Sequence, residues 1–238
     1  MRMFFVALLL SLPLAAQEDL KKSSGDAVEA LRKTAKSGSF EFAGILKTEV
    51  NPDEADAEAT ECKVLGAVAS PFHSVFKVKT DSSTHEIAFK GGKLAGKLIW
   101  KGQPLDLGKA PSEVLSLVNL ERLAVYAEKA TAAKSLADVK DCRVLEIVLP
   151  KQTIRSCQED AEQQEEEEKS VEKVELKVHV RKSDGLVVKL EATVHRLYKD
   201  EDNPDNSSKG RSEYAFTLKE FGAAKVTIPA GLEKLVEE

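Results

Sequence analysis

Between residues 40 and 100, and again between 142 and 219, apolar side chains recur at every second position and stop at short turns rich in Gly, Asp, Ser and Pro. A period of two marks strands, and strands joined by tight turns pair antiparallel. The sharpest instance is the segment 173–194. Val174, Leu176, Val178 and Val180 alternate there with Lys173, Glu175, Lys177, His179 and Arg181. After Ser183-Asp184-Gly185, Leu186, Val188, Leu190, Ala192 and Val194 take one face of a second strand. A two-residue turn would set Val180 against Lys189 and mix the faces. A three-residue turn with Gly185 left-handed sets Val180 opposite Val188, Val178 opposite Leu190 and Lys177 opposite Glu191.

The same alternation predicts strands at 40–49, 60–69, 73–79, 84–90, 93–100 and 142–149, then 212–219 and a short last strand at 225–228. Phe40, Phe42 and Leu46 share one face of the first strand. Phe76, Val78, Ile87, Phe89, Leu94, Leu98 and Trp100 share one face of the adjoining meander, while lysines take the other. Two segments have helical spacing instead: 26–36, capped by Ser23-Ser24-Gly25-Asp26, and 111–134, where Asn119 is placed to split the stretch in two. A sheet of nine or ten strands curls, and its apolar side needs a cover. The fold class is therefore mainly β with α: a single antiparallel sheet curled into an unclosed β-barrel, covered or plugged by two or three helices. Ala27, Ala35, Ala124 and Ala127 on those helices are small and are expected to leave room beneath them. No charged group is required inside.

The first sixteen residues have the layout of a secretory signal peptide: Arg2, an apolar run to Leu14, and small residues at Ala15-Ala16 before Gln17. The run is too short to span a bilayer, which takes about 20 residues, and no Cys stands at the first mature position. Residues 17–238 are expected to form one exported, periplasmic or secreted domain, monomeric and without a transmembrane span, with an acidic insertion at 151–172. Export makes the three cysteines relevant. They are expected either as one bridge and a buried thiol or as three buried thiols. The bridge is assigned to Cys142 and Cys157, the pair closest in sequence, with a contribution of about 3 kcal/mol, leaving Cys62 free.

The chain's chemistry is mostly defined by what it lacks. A net charge of −5 offers no basic excess for nucleic acid. His85-Glu86 lies in a strand pattern without a second His, and no Gly-x-Ser-x-Gly, phosphate loop or clustered metal-ligand set occurs. In the hairpin register His179 faces Lys189 and His195 faces Lys173, so the two do not converge on one metal and read as solvated strand residues. Asp200-Glu201-Asp202-Asn203-Pro204-Asp205 puts Pro where a calcium loop needs a ligand and Asp where it needs Gly. No catalytic residue, metal or cofactor is expected.

Lys182-Ser183-Asp184-Gly185-Leu186-Val187-Val188-Lys189, and Phe221-Gly222 before Val226-Thr227-Ile228-Pro229, resemble the turn and closing motifs of the bacterial lipoprotein-localisation carrier superfamily, the LolA/LolB-like proteins and the related mycobacterial lipid-binding lipoproteins. The resemblance implies an unclosed barrel whose apolar interior takes an acyl chain. The expected function is an exported, non-enzymatic carrier for a lipid or lipoprotein acyl chain, lined by Phe40, Phe42, Leu46, Phe76, Val78, Ile87, Phe89, Leu94, Leu98 and Trp100. The competing expectation is an adaptor that binds another envelope protein through an edge strand or the acidic insertion. The processing step is testable at once: the intact mass of exported material should match a chain beginning at Gln17, and retention of residues 1–16 contradicts export by this route.

Overall fold

The computed structural model describes residues 14–53, 57–71, 73–80, 83–91, 93–100, 110–154, 165, 168–198, 207–229, 231–233 and 236, with the backbone alone at 14–18, 58, 95–100 and 110–112. In chain order the elements are α1 (Leu14–Lys36), β1 (Phe40–Val50), β2 (Glu58–Ser70), β3 (His73–Lys79), β4 (Ser83–Lys90), β5 (Lys93–Trp100), α2 (Ala110–Val118), α3 (Leu120–Ala127), β6 (Ala132–Ser135) and β7 (Cys142–Leu149). A 3-10 turn (Lys151–Thr153), β8 (Val171–Arg181), β9 (Val187–Tyr198) and β10 (Ser208–Lys219) follow. Among the described residues the strands form one 10-stranded sheet in the order β5-β4-β3-β2-β1-β10-β9-β8-β7-β6, antiparallel throughout. The sheet does not close: β5 and β6 are its two edges.

Two meanders, β1–β5 and β6–β10, are spliced by the pairing of the first strand with the last. Phe42 stands opposite Leu218 and Leu46 opposite Tyr214 in that seam. The chain leaves the sheet at one edge and re-enters at the other, so its connection has to cross a whole face. It returns as α2 and α3. Asn119 separates them as its spacing predicts, accepting the Arg122 N–H at 3.1 Å as the cap of α3. The other cover is α1, which packs on α3, β6, β7 and β9.

Register follows side-chain parity. Phe40, Phe42 and Leu46 pair with Val68, Gly66 and Cys62 of β2. Gly66 pairs with Phe76, Phe76 with Ile87, and Phe89 with Leu94. All of these lie on the covered face. Gly66 is a glycine for a steric reason: a Cβ there would come within 2.5 Å of the Phe42 ring and 2.6 Å of the Phe76 Cβ. Phe42 fills that space and meets Phe216 edge-on at 5.5 Å between centroids.

Several expectations need correction. α1 starts well upstream of Asp26, so Ser23-Ser24-Gly25 is helix interior and not a cap. Ser23 is buried one turn before Ala27, in line with Ala30, Leu31 and Thr34, so the covered stripe continues past the expected start. The expected helix to residue 134 stops at Ala127. Residues 132–135 instead pair with β7, satisfying backbone groups on that strand's free side. Residues 225–228 are not a strand. β10 already has β1 and β9 on its two sides, so the chain after it has no open edge and crosses the outer face, where Ile228, Leu232 and Val236 pack against Val75 and Ala88. In the β8–β9 hairpin Gly185 is left-handed at φ 69°, and Val178–Leu190 and Lys177–Glu191 pair as expected. Val180 faces Val187 and not Val188, because the register shifts between His179 and Val180.

Cys62 and Cys142 are buried free thiols. The expected Cys142–Cys157 bridge is therefore not made at Cys142, whose Sγ donates to Asp141 Oδ1 at 3.5 Å; Cys157 lies outside the described residues. Burial raises both thiol pKa values, with Glu61 adding to the effect at Cys62 and Asp141 at Cys142.

Two glycines give opposite forecasts for one substitution. A Cβ on Gly44, in the seam strand β1, would fall 1.8 Å from the Ala215 carbonyl oxygen. Gly44→Ala should destabilise by about 3 kcal/mol or more. Gly25 lies inside α1 with nothing within 4 Å of an added Cβ, so Gly25→Ala should stabilise by about 0.5–1 kcal/mol. Urea unfolding of both variants checks the pair.

Candidate functional site

The covered face is built from alternate residues of every strand and from the inner sides of the helices. Phe40, Phe42, Leu46, Phe76, Val78 and Ile87 are each at most 3% exposed, and they join one apolar cluster with Val114, Leu117 and Val118 of α2 and Leu120 and Leu123 of α3. Six of the ten expected lining residues are packed core in this structure. The alanines act differently from the expectation too. Ala27 on α1 and Ala124 and Ala127 on α3 are fully buried where the two helices pack together, so small side chains there bring the helices close, whereas Ala35 is partly buried and borders a crevice of about 20 Å³.

The cover thins toward β5. Phe89 is half-buried, and its cross-strand neighbour Leu94 is 37% exposed. Leu98 and Trp100 continue the same face of β5 by register, opposite His85 and Ser83; their side chains lie outside the described residues. His85 shares this face, and burial pushes its pKa down, which keeps the ring neutral. Its Nε2 is buried with no hydrogen-bond partner. On β1 and β2, in the cross-strand row that leads through Ser74 to Phe89, a crevice of about 20 Å³ lies between Phe40, Val68, Pro71 and Leu120, room for a single water.

Charge is nevertheless present inside. Glu113 of α2 and Arg196 of β9 are the charged side chains among the described buried residues. Glu113 Oε1 accepts from Arg196 Nε at 3.0 Å and also from Nη2. Its Oε2 accepts the Tyr214 hydroxyl, and Arg196 Nη1 donates to Ser170 Oγ at 2.9 Å. Parity carries the signal that sequence reading passed over. Leu190, Ala192 and Val194 point inward on β9, so Arg196, two residues on, points inward too.

The outer face is charged over β7–β10 and more apolar over β1–β3, where Leu65 is exposed. A cleft of about 500 Å³ lies over β7–β10 and β1, floored by Ile45, Thr193 and Ala215 and walled by Glu146, Glu175, Lys177, Glu191, Glu213 and Lys47. His179 bonds Glu191 at 2.8 Å and His195 bonds Glu175 at 3.0 Å. The two rings sit on separate carboxylates, as the register predicts. His179, however, is only 12% exposed and is no solvated residue. Among the described residues no group of three or more His, Cys, Asp or Glu is placed to hold a metal.

No protein-family model matches the chain, and no curated protein matches it. Solved structures do. A LolA superfamily protein from Nitrosomonas europaea is 16% identical over 82% of this chain and 94% of its own, at a TM-score of 0.28. A DUF1329 family protein from Desulfovibrio piger is 10% identical over 92% and 98%, at 0.33. A domain from Vibrio parahaemolyticus, described as an outer membrane lipoprotein-sorting protein, is 12% identical over 87% and 95%, at 0.29. One of the three is named for the superfamily that the turn motifs resemble. TM-scores this low carry no argument, and the unclosed antiparallel sheet stands on this chain's own register.

The outer charges give the pH forecast. Glu49 lies between Lys47, at 2.5 Å, and Arg211, whose Nε is at 2.8 Å. The hydrogen bond from Lys47 first, and that from Arg211 next, hold its carboxyl below the ordinary value of 4.5. A carboxyl with a lowered folded-state pKa binds protons more readily when unfolded. Its stabilisation is complete above pH 4.5 and is lost as pH falls through the folded value. Urea midpoints of wild type and Glu49→Gln should differ at pH 7 and converge as pH falls below the folded-state value.

Proposed function

We propose that this protein is an exported carrier that takes an apolar ligand, a lipid or the acyl chain of a lipoprotein, on the concave face of its sheet. The observation that carries the reading is geometric. An unclosed sheet sets Phe40, Phe42, Leu46, Phe76, Val78, Ile87, Phe89 and Leu94 on one face, and that face is covered by helices and not by a second sheet. For a ligand to be taken up, the packed interior has to open. A ligand enters along β4 and β5, where Phe89 and Leu94 are least covered, and α2 yields to it. Each methylene taken from water contributes about 0.8 kcal/mol, so a ten-carbon chain reaches micromolar affinity after association costs. The signal-like first sixteen residues support a periplasmic site of action, and no helix among the described residues is long and apolar enough to cross a membrane.

A second reading, an adaptor for another envelope protein, is favoured by one observation: β5 and β6 each keep a side with no strand on it. The experiment that separates the two is native mass spectrometry of material purified from the envelope, with its lipid extract analysed alongside. The carrier reading expects co-purified lipid in wild type and its loss in Phe89→Asp, with the melting temperature of the variant measured to exclude unfolding. Lipid-free wild type that takes up no added acyl chain overturns it.

A further inference from the structure

We infer that the acyl ligand carries a carboxylate head, and that Arg196 and Tyr214 are its receptor, with Glu113 occupying the head's position until the ligand arrives. The inference rests on the carrier reading and names the ligand class of that same face. Three observations support it. First, Arg196 offers Nε and Nη2 to one carboxylate oxygen while the Tyr214 hydroxyl serves the other. A guanidinium side and a phenol converging on two oxygens form a receptor for a planar, singly charged carboxylate. Second, Arg196 and Tyr214 belong to the sheet, whereas the carboxylate they hold belongs to α2, the short helix over the apolar face. The receptor is part of the frame, and its occupant is part of the cover. Third, the receptor lies at one end of the ligand face. From Arg196 the inward positions of β9 run through Val194, Ala192 and Leu190, all buried and apolar, with Phe216 beside them on β10. A head at Arg196 therefore leads a tail onto that face.

Charge selects the class. Glu113 brings one negative charge to Arg196, in a pair buried to 4% and 2% side-chain exposure. A neutral head in its place removes one negative charge from this buried site, and a dianionic phosphate adds one. A carboxylate exchanges one anion for another at constant charge.

The test compares laurate with methyl laurate, both below micellar concentration, binding to the mature full chain by displacement of a fluorescent apolar probe. Wild type should bind laurate about tenfold more tightly than the ester. Glu113→Gln keeps the side-chain shape, removes the competing anion, and should raise laurate affinity a further tenfold with the ester unchanged. Arg196→Met should abolish the preference. Should either single variant unfold by circular dichroism, Glu113→Gln combined with Arg196→Gln, a neutral pair of similar shape, should bind both ligands equally. Equal binding of acid and ester in wild type and in Glu113→Gln overturns the inference while leaving the carrier reading intact. Binding of neither ligand overturns both.

Discussion

The pairing of β1 with β10 is the constraint on which the rest depends. It joins two meanders through their outermost members in sequence and so sends β5 and β6 to opposite edges. The segment between them then has to traverse a face of the sheet, and a segment that crosses an apolar face does so at least cost as amphipathic helix. The cover is thus a consequence of strand order. The seam also explains the backbone demands placed on it. Gly44 admits the Ala215 carbonyl, and Gly66 admits the Phe42 ring, at separations that no side chain allows.

The two faces of the sheet solve different problems. Outside, charges of both signs alternate across the strands: Lys177 between Glu146 and Glu191, and Arg211 beside Glu49 and Glu213. Exposed pairs like these contribute little individually, but they keep a broad sheet surface wet and unattractive to other strands. Inside, among the described residues, one ion pair is held out of water. A buried pair costs desolvation that its own attraction recovers only with good geometry and added hydrogen bonds, here those of Tyr214 and Ser170. Well-packed apolar residues would serve stability as well, so a charge pair between cover and frame fits a demand of binding more than one of folding.

Much of the fold was legible in the sequence. Strands at 73–79, 93–100 and 142–149 coincide with the observed elements, and the hairpin pairs of Lys177 with Glu191 and Val178 with Leu190 are as the turn chemistry requires. Asn119 reads correctly as a cap because capping is a local bond to the Arg122 N–H. What failed was non-local. The strand at 132–135 exists because β7 has a free side, and the segment at 225–228 is not a strand because β10 has none. Neither fact is written in those residues.

The same division holds for the site. Alternation alone determined which side chains share the inner face, since the period of a strand is fixed by its backbone; it placed Phe42, Phe76 and Ile87 together and, read one step further, would have placed Arg196 with them. Whether that face is hollow or filled was decided only by the tertiary structure. Helix separation depends on which surfaces meet, and the small residues of α1 and α3, which in sequence signify space, become close contact once the two helices face each other. The partner of Arg196 likewise lies 83 residues away on another element. The sequence determined the faces, because they follow from local geometry; the tertiary structure decided what fills them, because packing and charge pairing are properties of surfaces brought together from distant parts of the chain.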